Sequence, residues 1–231
     1  TLASSEISNY PFTTKHPSTG NADAITICVH REFDIQDSPK NSRCIDGWRY
    51  IPIELIDLPG LIKGAWQGKG LGNQFLAVAA QSDALIHIVD VSGGIDATGK
   101  ITEPGTGDPV ADVGDIEEEL AMWYLRLLEG NRDKISRSIS AGIDSVTAVS
   151  DVLRGIGVNE EHVKLALQNN SMMEGKFDEY DAQKVKDFSW SLRDISKPTL
   201  ILANKIDLPS AADNFNRLRD KYKDILVIPS S

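Results

Sequence analysis

The stretch YIPIELIDLPGLIKGAWQGKGLGNQFL, residues 50–76, decides the fold. Residues 51–56, apolar apart from Glu54, read as a buried strand, which closes on Asp57-Leu58-Pro59-Gly60. A glycine-rich segment follows, and the pattern predicts a helix starting near Asn73. A carboxylate at the carboxyl end of a strand, with glycine three residues on, suits a metal-bound phosphate. The carboxylate holds the metal through water, and the glycine N–H approaches the terminal phosphate with no Cβ in the way. An acidic turn of chance composition gives the same four residues, so the motif needs company.

Gly64, Gly68, Gly70 and Gly72 could suggest a dinucleotide fingerprint, but the spacing fails. Counted from Gly68, G-x-G-x-x-G demands glycine where Asn73 stands. A loop leading into a helix fits better, with Trp66 expected to pack on a neighbouring helix.

Outward from this stretch the chain alternates apolar runs with polar motifs. Residues 84–90, ALIHIVD, form a continuous apolar run of strand length, as parallel strands covered on both faces do. His87 within it reads as a core histidine, and Asp90 ends the run. Residues 199–204 repeat the texture and lead into Asn204-Lys205-Ile206-Asp207. Residues 225–228 are the last strand, followed by Pro229-Ser230-Ser231. Upstream, residues 8–20 hold two prolines and several hydroxyls and are expected to be a loop, with Thr13 and Thr14 as candidate metal or phosphate ligands. Residues 24–29 are a short strand, and 31–49 an irregular connection.

Between the apolar runs the texture turns helical. Residues 95–114 are a loop. Asp115-Ile116-Glu117-Glu118 resembles a capping box and opens a helix with Ile116, Leu120, Trp123 and Leu127 on one stripe, closed by Gly130. Asp144 or Ser145, Asn159 and Asp181 cap three more, the last stopped by Pro198. The expected division is therefore 1–94, a helical insertion over 95–195, and 196–231.

Four polar motifs thus follow strands: Asp57–Gly60, Asp90, Asn204–Asp207 and Ser230-Ser231. Sites in open α/β sheets lie outside the carboxyl ends of parallel strands. Asn-Lys-x-Asp is the specific member. A carboxylate in the base plane accepts two hydrogen bonds from guanine, from N1–H and the N2 amino group, and adenine offers no matching pair. Each unpaired buried polar group costs roughly 1–3 kcal/mol, so two favour guanine by about a hundredfold. The Lys205 stem suits the ring face, and Asn204 can tie loops together.

Composition sets bounds. The 231 residues are 41% hydrophobic and 25% charged, as in ordinary globular proteins. No apolar run approaches the roughly 18 residues of a membrane span, and the first ten residues carry no secretory features. A net charge of −10 argues against a broad nucleic-acid-binding face. Cys28 and Cys44 are the only cysteines; they match no metal-ligand spacing and are expected to be two inert thiols in a reducing compartment.

On these residues the chain resembles the Obg/YchF-like group of P-loop GTPases, in the archaeal and fungal branch with a helical insertion. The resemblance rests on Asn9-Tyr10-Pro11-Phe12-Thr13-Thr14, on DLPGLIKGAWQGKGLGNQFL, on Gly157-Val158-Asn159-Glu160-Glu161-His162-Val163, and on Lys197-Pro198 leading to NKID. It implies an α/β, three-layer P-loop NTPase G domain with an inserted all-helical subdomain. It implies GTP and GDP as ligands, Mg²⁺-dependent hydrolysis as a molecular switch, a cytoplasmic location and a ribosome or RNA partner, with no membrane and no DNA. Thr14 resembles the switch threonine that binds Mg²⁺, and Asp57 the second metal-site residue. Gly60 resembles the backbone donor to the γ-phosphate. Asn204, Lys205 and Asp207 are similar to the guanine readers, and Ser231 to the first residue of the Ser-Ala motif beside the base.

The departures carry expectations of their own. Leu61 stands where many GTPases place a water-orienting Gln, so a slow rate, or catalysis through a cation such as K⁺ or through a partner, is expected. The YchF branch that prefers ATP lacks NKxD, so Asp207 argues for GTP. No G-x-x-x-x-G-K-[ST] occurs in the sequence. Family spacing places it before Thr1, so the first strand, the phosphate loop and the C-terminal β-rich, TGS-type domain are expected outside these residues. The 231 residues alone are then expected to hold GTP poorly. The alternative is an adaptor, nucleotide-responsive or nucleotide-free, that docks a protein partner through its helical insertion.

Overall fold

The computed structural model describes residues 18–35, 37–58, 64–67, 72–96 and 99–231. The chain divides into two units, Thr1–Gly60 and Leu61–Ser231.

The first unit holds β1 (Ser18–Ile27), the single-turn α1 (His30–Phe33), β2 (Arg43–Ile45) and β3 (Trp48–Asp57). The sheet order is β1-β3-β2 and both pairings are antiparallel. β1 and β3 pair from Ser18 opposite Asp57 to Ile27 opposite Trp48. β2 and β3 form a hairpin closed by Asp46-Gly47, with φ of 51° and 81°. Two positive φ values in sequence are what a tight two-residue hairpin turn needs, and Asp-Gly supplies them cheaply. β1 begins at Ser18, earlier than the strand expected over 24–29. The hydroxyl- and glycine-rich start reads locally as a turn, but main-chain pairing along β3 overrides that weak preference. Likewise the connection over 31–49 contains α1 and β2.

The second unit carries α2 (Gly72–Gln81), β4 (Leu85–Asp90), α3 (Pro109–Gly130), α4 (Arg132–Ser140), α5 (Ser145–Leu153), α6 (Glu160–Asn169), α7 (Ala182–Ser196), β5 (Thr199–Asn204), α8 (Ala211–Lys221) and β6 (Leu226–Pro229). Its sheet is parallel, in the order β4-β5-β6, with Leu85 opposite Thr199 and Leu200 opposite Leu226. The strand period puts Val89, Ile201 and Ala203 on one face, where they form a core with Val91, Val113, Ala211 and Leu218. Ile86 and Ile88, on the alternate positions of β4, are exposed.

Helix starts follow their caps. Asp144, Asn159 and Asp181 accept from the N–H groups of Thr147, His162 and Lys184, at 3.0, 2.9 and 2.8 Å. α3 starts at Pro109 rather than at Asp115. Asp108 accepts from Val110 N–H at 3.2 Å and proline occupies the first turn. That Asp-Pro pair is a stronger start than the internal Asp-x-x-Glu, because proline lacks the N–H that a first turn leaves unpaired. α4 was not foreseen, since its sequence RDKISRSIS buries only Ile135.

Among the described residues the helices bury a charged pair. Arg193 of α7 meets Glu117 of α3, with side chains 3% and 8% exposed. Burial pushes the Glu117 carboxyl up despite the guanidinium beside it. His87, expected as a core histidine, is partly buried, with its Nδ1 enclosed. Burial, aided by the Arg193 charge, pushes its imidazole down to about 4. Among the described residues no helix is long and apolar enough to cross a membrane.

Candidate functional site

β4 and β5 run parallel and end level, Asp90 opposite Asn204. At that level the chain makes the turn Lys205-Ile206-Asp207. Lys205 has φ +63°, in the left-handed region that costs a side-chain-bearing residue. Two main-chain bonds hold the turn to the chain leaving β6: Ser230 N–H donates to Ala203 C=O at 2.8 Å, and Ile206 N–H to Ser230 C=O at 3.0 Å. Asn204, Lys205, Asp207 and the Ser230-Ser231 segment therefore share one corner at the carboxyl end of the parallel sheet.

Lys205 Nζ donates to Asp90 Oδ2 at 2.7 Å. The other Asp90 oxygen accepts from Ser92 N–H at 3.0 Å and from its hydroxyl at 2.5 Å. The sequence pattern placed Lys205 along a base; the structure also ties its tip to the neighbouring strand end. Asp207 is exposed and has no ion-pair partner among the described residues, so its carboxylate lone pairs face solvent. Asn214 of α8, buried, braces the corner by donating to Val91 C=O at 3.0 Å.

The loop from β4 to α3 folds back beside this corner. Gly107 N–H donates to Gly93 C=O at 2.8 Å. A Cβ on Gly107 would lie 1.9 Å from the Ile95 carbonyl oxygen, so only glycine fits there. Burial, with the charges of Asp115, Asp108 and Asp90, pushes the Asp112 carboxyl up to about 6. Lys205 on Asp90, and Arg217 on Asp108 at 3.0 Å, offset part of this negative field.

A second feature was not foreseen. Glu119 on the buried face of α3 accepts from Gly64 N–H at 2.5 Å and Trp66 N–H at 2.8 Å. Arg126, further along α3, donates to Trp66 C=O at 2.9 Å. The Ala65–Gln67 turn is thus bound through its backbone to the helical region, and Trp66 itself is half-buried. The available sequence signal was a glutamate next to Leu120 in an apolar stripe, where a charge needs a partner.

Asp57 closes β3 in the first unit and is exposed. Its carboxylate is a hard oxygen donor, which fits Mg²⁺, a cation that takes one or two carboxylates and keeps its waters. Thr14, Gly60 and Leu61 lie outside the described residues. In the same unit Cys28, His30, Asp37 and Cys44 bring donor atoms within 4.8 Å of one another, which the separation of the two cysteines in sequence concealed.

The model of the family described as 50S ribosome-binding GTPase matches residues 1–108. A GTP-binding protein of Methanocaldococcus jannaschii is 42% identical over 98% of this chain and 56% of its own length. The ribosome-binding ATPase YchF of Mycoplasma genitalium is 31% identical over 94% of this chain and 56% of its own. Among solved structures, a GTP-binding protein from Pyrococcus horikoshii aligns with a TM-score of 0.74 at 28% identity, covering 92% of this chain and 57% of that one. The chain spans a little over half the length of the relatives it matches.

Proposed function

The chain belongs to the Obg/YchF-like family of GTP-binding proteins, and we propose that it is the guanine-reading part of a Mg²⁺-dependent GTP-hydrolysing switch. The observation that carries this reading is the Asn204–Asp207 turn. It is held by main-chain bonds at the carboxyl end of a parallel sheet, with the Asp207 carboxylate exposed. Asp207 accepts from N1–H and the N2 amino group of guanine. Lys205, steadied by Asp90, lays its stem against the ring, and Ser231 supports the base from the adjoining segment. Asp57 and Thr14 would hold Mg²⁺, and the Gly60 N–H would donate to the phosphate. Mg²⁺ when bound neutralises charge developing on the phosphates. Leu61 orients no water, so hydrolysis depends on K⁺ or on a partner, for which the ribosome is the candidate.

Residues 1–94 and 196–231 belong to the nucleotide-binding fold in this reading, and 95–195 are an inserted helical subdomain. The Glu119 contact gives that subdomain a means of sensing the segment after Gly60. A docking role for the helices is therefore part of the switch, and the site is cytoplasmic. The test is equilibrium binding of GTP and ATP to the full-length protein. GTP is expected to bind about a hundredfold more tightly, and Asp207→Ala to remove most of that ratio. Equal affinities in the unaltered protein would overturn the reading.

A further inference from the structure

We propose that Cys28, His30, Asp37 and Cys44 form a site for a single Zn²⁺ ion that staples the connection between β1 and β2. Cys28 follows β1, His30 opens α1, Asp37 lies in the irregular stretch beyond, and Cys44 is the middle residue of β2. Cys28 Sγ lies 3.0 Å from Asp37 Oδ2, Cys44 Sγ 3.6 Å from His30 Nδ1, and His30 Nδ1 3.9 Å from the same Asp37 oxygen. Bonds of about 2.0–2.3 Å to zinc give tetrahedron edges of roughly 3.3–3.8 Å, so the four atoms need only small shifts. Two sulfurs, one ring nitrogen and one carboxylate oxygen are a donor set for Zn²⁺ and not for Mg²⁺ or Ca²⁺, which take oxygens.

Charge supports the same occupant. Two thiolates and one carboxylate carry three negative charges. A zinc ion and one guanidinium balance them. That guanidinium is Arg49, whose Nη2 donates to Asp37 Oδ2 at 2.5 Å and to Cys28 Sγ at 3.2 Å, while Nη1 holds Ser42 Oγ at 2.8 Å. Arg49 is the kind of outer partner that orients a ligating carboxylate. The backbone is arranged independently of any ion: Cys28 N–H donates to the carbonyl of Gly47, the hairpin-turn residue, at 2.9 Å.

The local fold lacks the usual means of holding such a loop. Among the described residues of the first unit, Cys28 is the only buried hydrophobic side chain. Where apolar burial is scarce, a metal supplies the folding energy instead. The site lies at the Trp48 end of β3. Asp57 is at the other end of that ten-residue strand, roughly 30 Å away at the rise of an extended chain. The zinc is therefore structural, and the proposal stands whether or not the chain binds guanine nucleotides.

The full-length protein, expressed with added Zn²⁺ and purified under reducing conditions, is tested by elemental analysis and by exchange with Co²⁺. A single equivalent of zinc is expected, and cobalt should give thiolate-to-metal charge-transfer absorption. Cys44→Ser should abolish that absorption. Arg49→Gln should retain it and weaken metal affinity by about 10–100-fold. The cobalt spectrum of the unaltered chain decides the matter even if a variant fails to fold. Absence of both bound zinc and the charge-transfer band overturns the site. So does a Cys28–Cys44 disulfide found by mass spectrometry in place of a metal.

Discussion

Residues 18–58 and residues 64–231 solve the same problem by different means. The first is a three-stranded antiparallel sheet with Ile25, Ile27, Trp48, Ile51 and Ile53 all exposed. It is ordered by its strand ladder, by the Asp46-Gly47 turn, and by the thiol, imidazole and carboxylate cluster under Arg49. The second wraps helices on a parallel sheet and buries Tyr124, Phe177, Phe188 and Leu192 almost completely. The contrast shows where each region's stability resides: main-chain pairing and polar contacts in one, apolar burial in the other.

A large expected effect in the second region is at its buried charge pair. Glu117→Ala leaves the buried Arg193 only the largely exposed Asp194 carboxylate at 2.9 Å and the Thr199 hydroxyl at 2.8 Å, and should cost about 3 kcal/mol, the low end for breaking a buried pair, read by urea unfolding. A cost below 1 kcal/mol would mean that water reaches the pair. Apolar truncation sharpens the contrast directly. Leu192→Ala should cost about 2–5 kcal/mol. Ile25→Ala, exposed on β1, should cost at most about 1 kcal/mol, the range of strand preference alone. Equal costs would break the comparison, because they would mean that Ile25 is covered.

The next effect is pH-dependent and belongs only to the second region. His87 has a folded value of about 4, below its ordinary 6.5. The unfolded chain therefore binds more protons between those values. Stability from His87 is complete above pH 6.5 and is lost as pH falls towards 4, by about 3 kcal/mol in total. Asp112, raised to about 6, acts in the opposite sense over part of that range. Comparing the pH profile of unfolding with that of His87→Leu removes the Asp112 contribution, since both proteins share it. Identical profiles would show that the imidazole is not neutralised by folding.

Much of the second region was legible in the sequence. The apolar runs ending at Asp90 and Asn204 are parallel strands, as their length and apolar texture predict, although β4 is covered on one face only and exposes Ile86 and Ile88. Asp144, Asn159 and Asp181 capped helices because a cap acts within one turn. The start of α3 was misplaced because two short polar motifs competed, and Pro109 decided in favour of the earlier one. The first region is less legible: residues 51–56, which read as a buried strand, expose Ile51, Ile53 and Ile56. Its strand ladder is set by pairing with β3, and residues 18–21 carry turn-forming types that say nothing of a partner.

The apolar runs that end level at Asp90 and Asn204 came from the sequence alone, because residue types over a few positions fix a strand and its end; that Asp57 closes a strand of an antiparallel sheet, and not of the parallel one, did not. Tertiary structure alone decided three things. It bound Glu119 to the backbone of Gly64 and Trp66, drew Lys205 onto Asp90, and gathered Cys28, His30, Asp37 and Cys44. Each joins residues whose separation along the chain carries no sign of contact. Only the path of the folded backbone sets those distances.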